Sequence, residues 1–165
     1  MPLYYRGKRI REYGASGLYL TANLTSNNFE VNGSPTINGN NVKGFSNANF
    51  LKIPPFTPEA YPWEIKVRFS FELGNLNQDQ YIFGAAENYK SVKLAILNRK
   101  IALFVSSNGI SWDLVNAKGK TGMDPYNVYD VIVKYTGLRY TVQMKKTADK
   151  DFKEEIAVEK TISLY

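Results

Sequence analysis

The 165-residue chain contains no cysteine and no histidine, which excludes disulfides, thiolate metal sites, imidazole-dependent triads and most zinc sites. Its length suits one domain with an ordinary core, since about 70% of the extended-chain surface is buried at this size. The formal net charge of +6 points to nucleic acid only where basic residues gather along one stripe, and here most are dispersed.

In chain order, residues 1–25 predict a hairpin-like start. Residues 3–5 and 8–10 flank Arg6-Gly7, and a third β piece follows at 17–20. Arg6, Lys8, Arg9 and Arg11 are opposed only by Glu12, the pattern of a solvated or docking segment rather than a nucleic-acid clamp. From Asn23 to Asn49 the chain places nine of its sixteen asparagines, with Glu30 and Lys43 as the only charges. Asn and Gly accept left-handed backbone, so tight turns joined to short strands such as 29–31 are expected, with disorder as the competing reading.

After the loop containing Pro54, Pro55, Pro58 and Pro62 comes the clearest strand. Trp63, Ile65, Val67, Phe69, Phe71 and Leu73 alternate with Glu64, Lys66, Arg68, Ser70 and Glu72. Period two means one buried face and one wet face, as in an antiparallel sheet. Further strands are expected at 80–85, 92–97, 101–105, 111–115, 129–135, 139–145 and 155–160, separated by turns at Asn98-Arg99, Ser107-Asn108-Gly109, Thr136-Gly137 and 147–150. Glu155 and Glu159 stand four apart, and Phe152, Ile156 and Val158 leave helix and strand both open there. No apolar run approaches the roughly 20 residues that span a bilayer, and the start lacks an apolar stretch after its charges. A soluble chain without an export signal is expected. Seven or eight short strands with no helices between them give an all-β fold, a two-sheet antiparallel β-sandwich. Aromatic residues at 14% fit the half-buried faces of such sheets.

Two segments carry a resemblance. Ile101-Ala-Leu-Phe-Val-Ser-Ser-Asn-Gly-Ile-Ser-Trp-Asp-Leu-Val115 contains Ser-x-Gly-x-Ser-Trp on a hairpin, and Asn127 to Val142 contains Tyr-x-Val-x-Val-x-Tyr-x-Gly-x-x-Tyr-x-Val. Together they resemble the concanavalin A-like (laminin-G-like) jelly rolls of bacteriophage virion proteins. Residues 45–56 and 62–73 are similar to the first two strands of that family, and the likeness spans roughly residues 28–162. The start, Leu3-Tyr-Tyr-Arg-Gly-Lys-Arg-Ile10, also looks like short segments of phage structural proteins. The resemblance implies a jelly roll over 26–165 behind an attachment arm of residues 1–25, and in many relatives a glycan-binding face.

Enzymatic activity is not expected. Retaining glycosidases of this fold carry Glu-x-Asp-x-x-Glu on one strand, so that one carboxylate attacks while another donates a proton, and the sequence has no such string. A serine nucleophile would need a lysine base, and no Ser-x-x-Lys lies in a convincing context. Asp113, Asp124 and Asp130 would form a calcium site only if the fold gathered them, so no metal and no cofactor are expected.

Two function classes remain. In the first, the chain is a virion structural accessory, a capsid decoration or surface module made in the bacterial host cytoplasm. It would dock on other virion structural proteins through Tyr4, Tyr5, Arg6, Lys8, Arg9 and Arg11. In the second, it is a lectin-like receptor-binding module of a tail or fibre that holds host surface glycans. There Trp112, Tyr126 and Tyr89 would stack on a sugar, and Asn88, Asn108, Asp113 and Asn116 would hydrogen-bond it. Neither class needs a membrane or nucleic acid, and both are compatible with homo-oligomers. The absence of heptads, Gly-x-y repeats or a long linker favours the first, because adhesins generally need a trimeric shaft.

Overall fold

The computed structural model describes residues 33–34, 62–71, 80–84 and 91–160, together with the backbone of seven short strands before residue 53. Those seven are β1 (Tyr4–Tyr5), β2 (Lys8–Arg9), β3 (Leu18–Leu20), β4 (Glu30–Asn32), β5 (Thr36–Asn38), β6 (Asn41–Lys43) and β7 (Phe50–Lys52). Eight longer strands follow: β8 (Trp63–Phe69), β9 (Gln80–Gly84), β10 (Val92–Leu97), β11 (Lys100–Val105), β12 (Val115–Lys118), β13 (Tyr129–Tyr135), β14 (Arg139–Lys146) and β15 (Lys153–Glu159). No helix occurs among the described residues, and the region around Ile156 and Val158 is strand.

The chain is all-β. One sheet has the order β12-β11-β10-β9, a simple antiparallel meander, and the other has β15-β14-β13-β8-β3. Every pair in both is antiparallel except β3 with β8, where Leu18–Leu20 runs parallel to Trp63–Ile65. Three further pairs, β1 with β2, β4 with β7 and β5 with β6, form separate two-stranded ladders.

Alternation explains which faces meet. In β8, Trp63 and Ile65 are buried, Val67 and Phe69 pack on the core, and Lys66 and Arg68 are exposed. Leu73 and Glu72, expected to continue the pattern, lie outside the described residues. The neighbouring β13 puts Tyr129, Val131, Val133 and Tyr135 on the same side, in register with Phe69, Val67, Ile65 and Trp63. From the other sheet, Val92, Leu94 and Ile96 of β10 and Ile101, Leu103 and Val105 of β11 join them in a single apolar cluster. Two sheets sharing one core are the arrangement of a β-sandwich. The outward side of the five-stranded sheet carries charges of both signs that pair with each other: Arg68 with Asp130, Lys66 with Glu64, and Arg139 with Glu154 and Glu159.

The expected strand at 111–115 is a correction. Residues 106–114 form a loop, and the strand starts at Val115. Asn108 is the reason: its Oδ1 accepts the backbone N–H of Ile110 at 2.8 Å and of Ser111 at 2.9 Å, while Gly109 takes a φ of 74°. Local side-chain-to-backbone bonds of this kind displace strand pairing. The turn at Asn98-Arg99 is present as expected, with both residues at positive φ (49° and 60°), the backbone a two-residue type I′ hairpin requires.

Where β14 meets β15 the register shifts between Val142 and Gln143, and Glu155 is the extra residue of a bulge. The bulge turns both Glu155 and Ile156 inward. Glu155, only 3% exposed, accepts the N–H groups of Lys120 and Thr121 at 2.8 Å each through the same oxygen, Oε2. Consecutive backbone N–H groups make an anion-binding nest, and here the chain's own carboxylate fills it. The preceding Gly119 donates to the Ile101 carbonyl at 2.7 Å, and a Cβ there would meet Ile101 Cγ2 at 2.7 Å and Glu155 Oε2 at 3.1 Å.

Candidate functional site

The outer face of the four-stranded sheet differs from that of its partner. Strand register assigns it Tyr81 from β9, Lys93, Ala95 and Leu97 from β10, Lys100, Ala102 and Phe104 from β11, and Asn116 and Lys118 from β12. Trp112 folds over from the 106–114 loop and stacks on Phe104, with ring centroids 5.6 Å apart at 51°. A second apolar cluster, distinct from the core, thus joins Ala95, Ala102 and Phe104 with Leu97 and Trp112.

Lys93 stands among three rings toward one end of this face, whose middle, Ala95 and Ala102, is buried. Its Nζ stands 4.8 Å from the Tyr81 ring centroid, 4.4 Å from that of Phe104 and 5.1 Å from that of Trp112. Gly84 is directly opposite, and a Cβ there would crowd the Lys93 Cα, Cβ and Cγ at 3.0 Å. Its absence leaves that space to the lysine stem. A cation–π contact is worth about 0.5–1 kcal/mol at an exposed position and more when desolvated, so three rings hold the ammonium in place without neutralising it. Among the described residues no carboxylate pairs with Lys93, Lys100 or Lys118, and every charged side chain on this face is a cation.

The residues singled out for a glycan site are dispersed rather than assembled. Trp112 is half-buried on the aromatic face, and Asn116 is exposed on the same face opposite Phe104. Tyr126 is 66% exposed, with a positive φ of 66°, and its N–H donates to the Phe71 carbonyl at 2.8 Å. It belongs to the loop that meets the Asn98-Arg99 turn, since Met123 N donates to the Arg99 carbonyl and Asp124 pairs with Arg99. Trp112 belongs to the loop at the other end of β11. The five steps between the six residues of β11, at about 3.3 Å each, separate those ends by about 17 Å, too far for one sugar ring to touch both aromatics.

Asn108 and Asp113 are occupied within their loop. Ser106 Oγ donates to Asn108 Oδ1, Asn108 Nδ2 donates to Ser111 Oγ, and Asp113 accepts from the Ser107 N–H at 3.0 Å and from the Ser107 hydroxyl. Tyr89 and Asn88 lie outside the described residues, as do Arg6 and Arg11. Tyr4 and Tyr5 pair with Arg9 and Lys8 along the backbone of β1 and β2. Sequence reasoning missed Tyr81, Lys93 and Phe104. They are separated by stretches of chain that look unrelated, and only the register of three strands brings them together.

The three aspartates considered for calcium lie in different surroundings. Asp113 is held below the ordinary aspartate range chiefly by the Ser107 hydroxyl, Asp124 by Lys146 and then Arg99, and Asp130 by Arg68. The partners respond in kind: Asp124 raises Lys146 and Asp130 raises Arg68. No group of three or more His, Cys, Asp or Glu that could hold a metal ion occurs among the described residues. A depressed folded pKa contributes stability that is complete above the unfolded aspartate value near about 3.9 and is lost as pH falls through the folded value. We expect the urea midpoint to fall on acidification below about pH 4. With no histidine in the chain, it should stay nearly flat between about pH 5 and 8. A midpoint already falling between pH 7 and 6 would contradict this assignment.

No family model, curated protein or solved structure matches the chain. No helix among the described residues is long and apolar enough to cross a membrane.

Proposed function

We propose that the chain is a non-enzymatic surface module of a phage particle, a jelly-roll sandwich that docks on other virion proteins through its N-terminal arm. The observation that carries this reading is the pairing of β1 and β2. Tyr4–Tyr5 and Lys8–Arg9 ladder with each other and, among the described residues, with no strand of either large sheet, which suits a hairpin offered to a neighbour. The sandwich itself supports a jelly roll: the chain leaves β8, completes the four-stranded meander, and returns to lay β13 beside β8. The carboxylates of Asp113, Asp124, Asp130 and Glu155 are each engaged by hydroxyls, cations or backbone amides, in keeping with a structural rather than catalytic use.

Deleting residues 1–12 tests this. The cut spares Leu18–Leu20, whose backbone lies along β8. The truncated protein is expected to keep its melting temperature within a few degrees and to lose incorporation into particles. Normal incorporation, or an unfolded truncation product beside a folded full-length chain, would refute the docking role.

A second reading, a lectin-like module, is favoured by a specific observation, the aromatic face around Lys93. Sugar recognition typically sets a ring face against an aromatic plane and places a few polar groups at its edge. Tyr81 and Trp112 supply planes there, and Asn116 and Lys118 supply the edge.

A further inference from the structure

We propose that the outer face of the four-stranded sheet is an interface within the chain, covered by residues 30–52 laid over it as a third layer. This goes beyond the docking reading and does not rest on it, and it competes with the lectin-like reading for the same face. Two alanines carry the inference. Ala95 and Ala102 point outward side by side in the middle of the sheet, yet both are 0% exposed, and Phe104 beyond Ala102 is 8% exposed. The five-stranded sheet supplies the comparison. There the outward Ala157, beside Thr141, is exposed, and Ile132, between Lys66 and Gln143, is only half-buried. A long side chain flanked by long neighbours stays partly wet on that face, so two fully dry methyl groups on the opposite sheet lie under a cover. Small residues between Phe104 and Trp112 on one side and Leu97 on the other also leave a trough, into which a further layer interdigitates.

Connectivity, ladder size and charge select residues 30–52. The edge strands β12 and β15 touch, so β9 and β3, the opposite edges, share the other side of the sandwich. The chain leaves β3 at Leu20 and returns at Trp63 of β8, the neighbour of β3. Both ends of the intervening stretch therefore lie on the side where β9 ends the four-stranded sheet. The links from Leu20 to Glu30 and from Lys52 to Trp63 can each span about 33 Å, against about 10 Å between packed sheets and about 5 Å per strand crossed. Within this segment, β4 with β7 and β5 with β6 form two-stranded ladders, which are marginal in water without a surface to pack on. Gly33 and Ser34, between β4 and β5, are exposed, as the outside of such a layer is. Charge excludes the first hairpin: Arg6, Lys8, Arg9 and Arg11 would meet Lys93, Lys100 and Lys118, and like charges repel. Residues 30–52 hold only Glu30, Lys43 and Lys52, with Glu30 opposite Lys52 in register. Their six asparagines carry amide oxygens that accept from an ammonium without adding charge.

The chain has no cysteine, so a single introduced thiol is labelled without background in the full-length protein. Ala95→Cys and Ala102→Cys are expected to react with a maleimide at least about a hundredfold more slowly than Ile110→Cys, because a covered thiol is reached only through local opening. Ile110 is the open reference, at 79% exposed. Equal rates in variants that keep the parent circular dichroism and melting temperature overturn the cover and return the face to the lectin-like reading. Lys118→Cys, exposed on the edge strand beside Ala102, identifies what lies above. It carries a benzophenone, is irradiated in dilute solution, and its crosslinks are mapped by peptide mass spectrometry. Crosslinks into residues 30–52 of the same chain are expected. Crosslinks mainly into residues 1–12 overturn both this proposal and the docking hairpin. Crosslinks mainly into residues 72–79, 85–90 or 161–165, or into a second copy, overturn this proposal and leave the docking reading untouched.

Discussion

Replacing Glu155 with alanine is expected to destabilise the protein by about 2–6 kcal/mol, the sum for two part-buried backbone donors losing a charged acceptor at about 1–3 kcal/mol each. The carboxylate is 3% exposed and holds the N–H groups of Lys120 and Thr121. In the alanine variant these part-buried donors lose their acceptor, and the loop loses its tie to β15. Glu155→Gln keeps one acceptor oxygen and should lose less than half as much. Gly119→Ala provides an independent check: its methyl would enter the space now held by Ile101 Cγ2, at 2.7 Å, and overpacking of this kind typically costs about 1–3 kcal/mol. Urea unfolding of the three variants measures the series. If Glu155→Ala is neutral within about 0.5 kcal/mol, the carboxylate does not hold the 119–122 loop to the sandwich.

Glu155 also marks where the sequence stops being informative. Strands β8, β13 and β14 are legible because period-two burial writes itself directly into residue order, as in β13, where Tyr129, Val131, Val133 and Tyr135 all turn inward. A bulge breaks that code. One extra residue at the β14–β15 register shift places Glu155 beside Ile156 on the same face, and a sequence scan reads this only as a disturbed pattern with helix and strand both open. The loop 106–114 hid itself for a related reason. Ile110, Trp112 and Leu114 alternate with polar residues as a strand would, but Ile110 is 79% exposed and Asn108 captures the backbone that pairing would need. The aromatic face lay beyond reach altogether. Its lysine and three rings come from β9, β10, β11 and a loop, and their relation is set by register, which composition and spacing do not encode.

Truncating Trp63 to alanine should cost about 3–5 kcal/mol, the usual range for a large buried aromatic. The indole is 3% exposed and heads a cross-strand ladder: its centroid lies 6.3 Å from both Tyr135 and Tyr140, which are themselves stacked at 4.3 Å and 16°. Register enforces this grouping, since Tyr135 pairs with Trp63 on one side and with Tyr140 on the other. The Tyr135 hydroxyl donates to the Gly137 carbonyl at 2.8 Å, tying the ladder to the β13–β14 turn, where Gly137 takes a φ of 97°. Loss of the indole therefore opens a cavity and loosens the rings that position that turn. For a domain of this size each kcal/mol moves the melting temperature by about 2–4 °C, so a fall of about 6–20 °C is expected, against almost none for Lys66→Ala on the exposed side of the same strand. The chain has two tryptophans, and a Trp112→Phe background makes Trp63 the sole tryptophan, which selective excitation reads apart from the tyrosines. Its emission should be blue-shifted when folded and move to the red in one step with unfolding. Emission at the solvent-exposed wavelength in the folded protein, or a Trp63→Ala variant as stable as Lys66→Ala, would show that β8 does not present this face to the core.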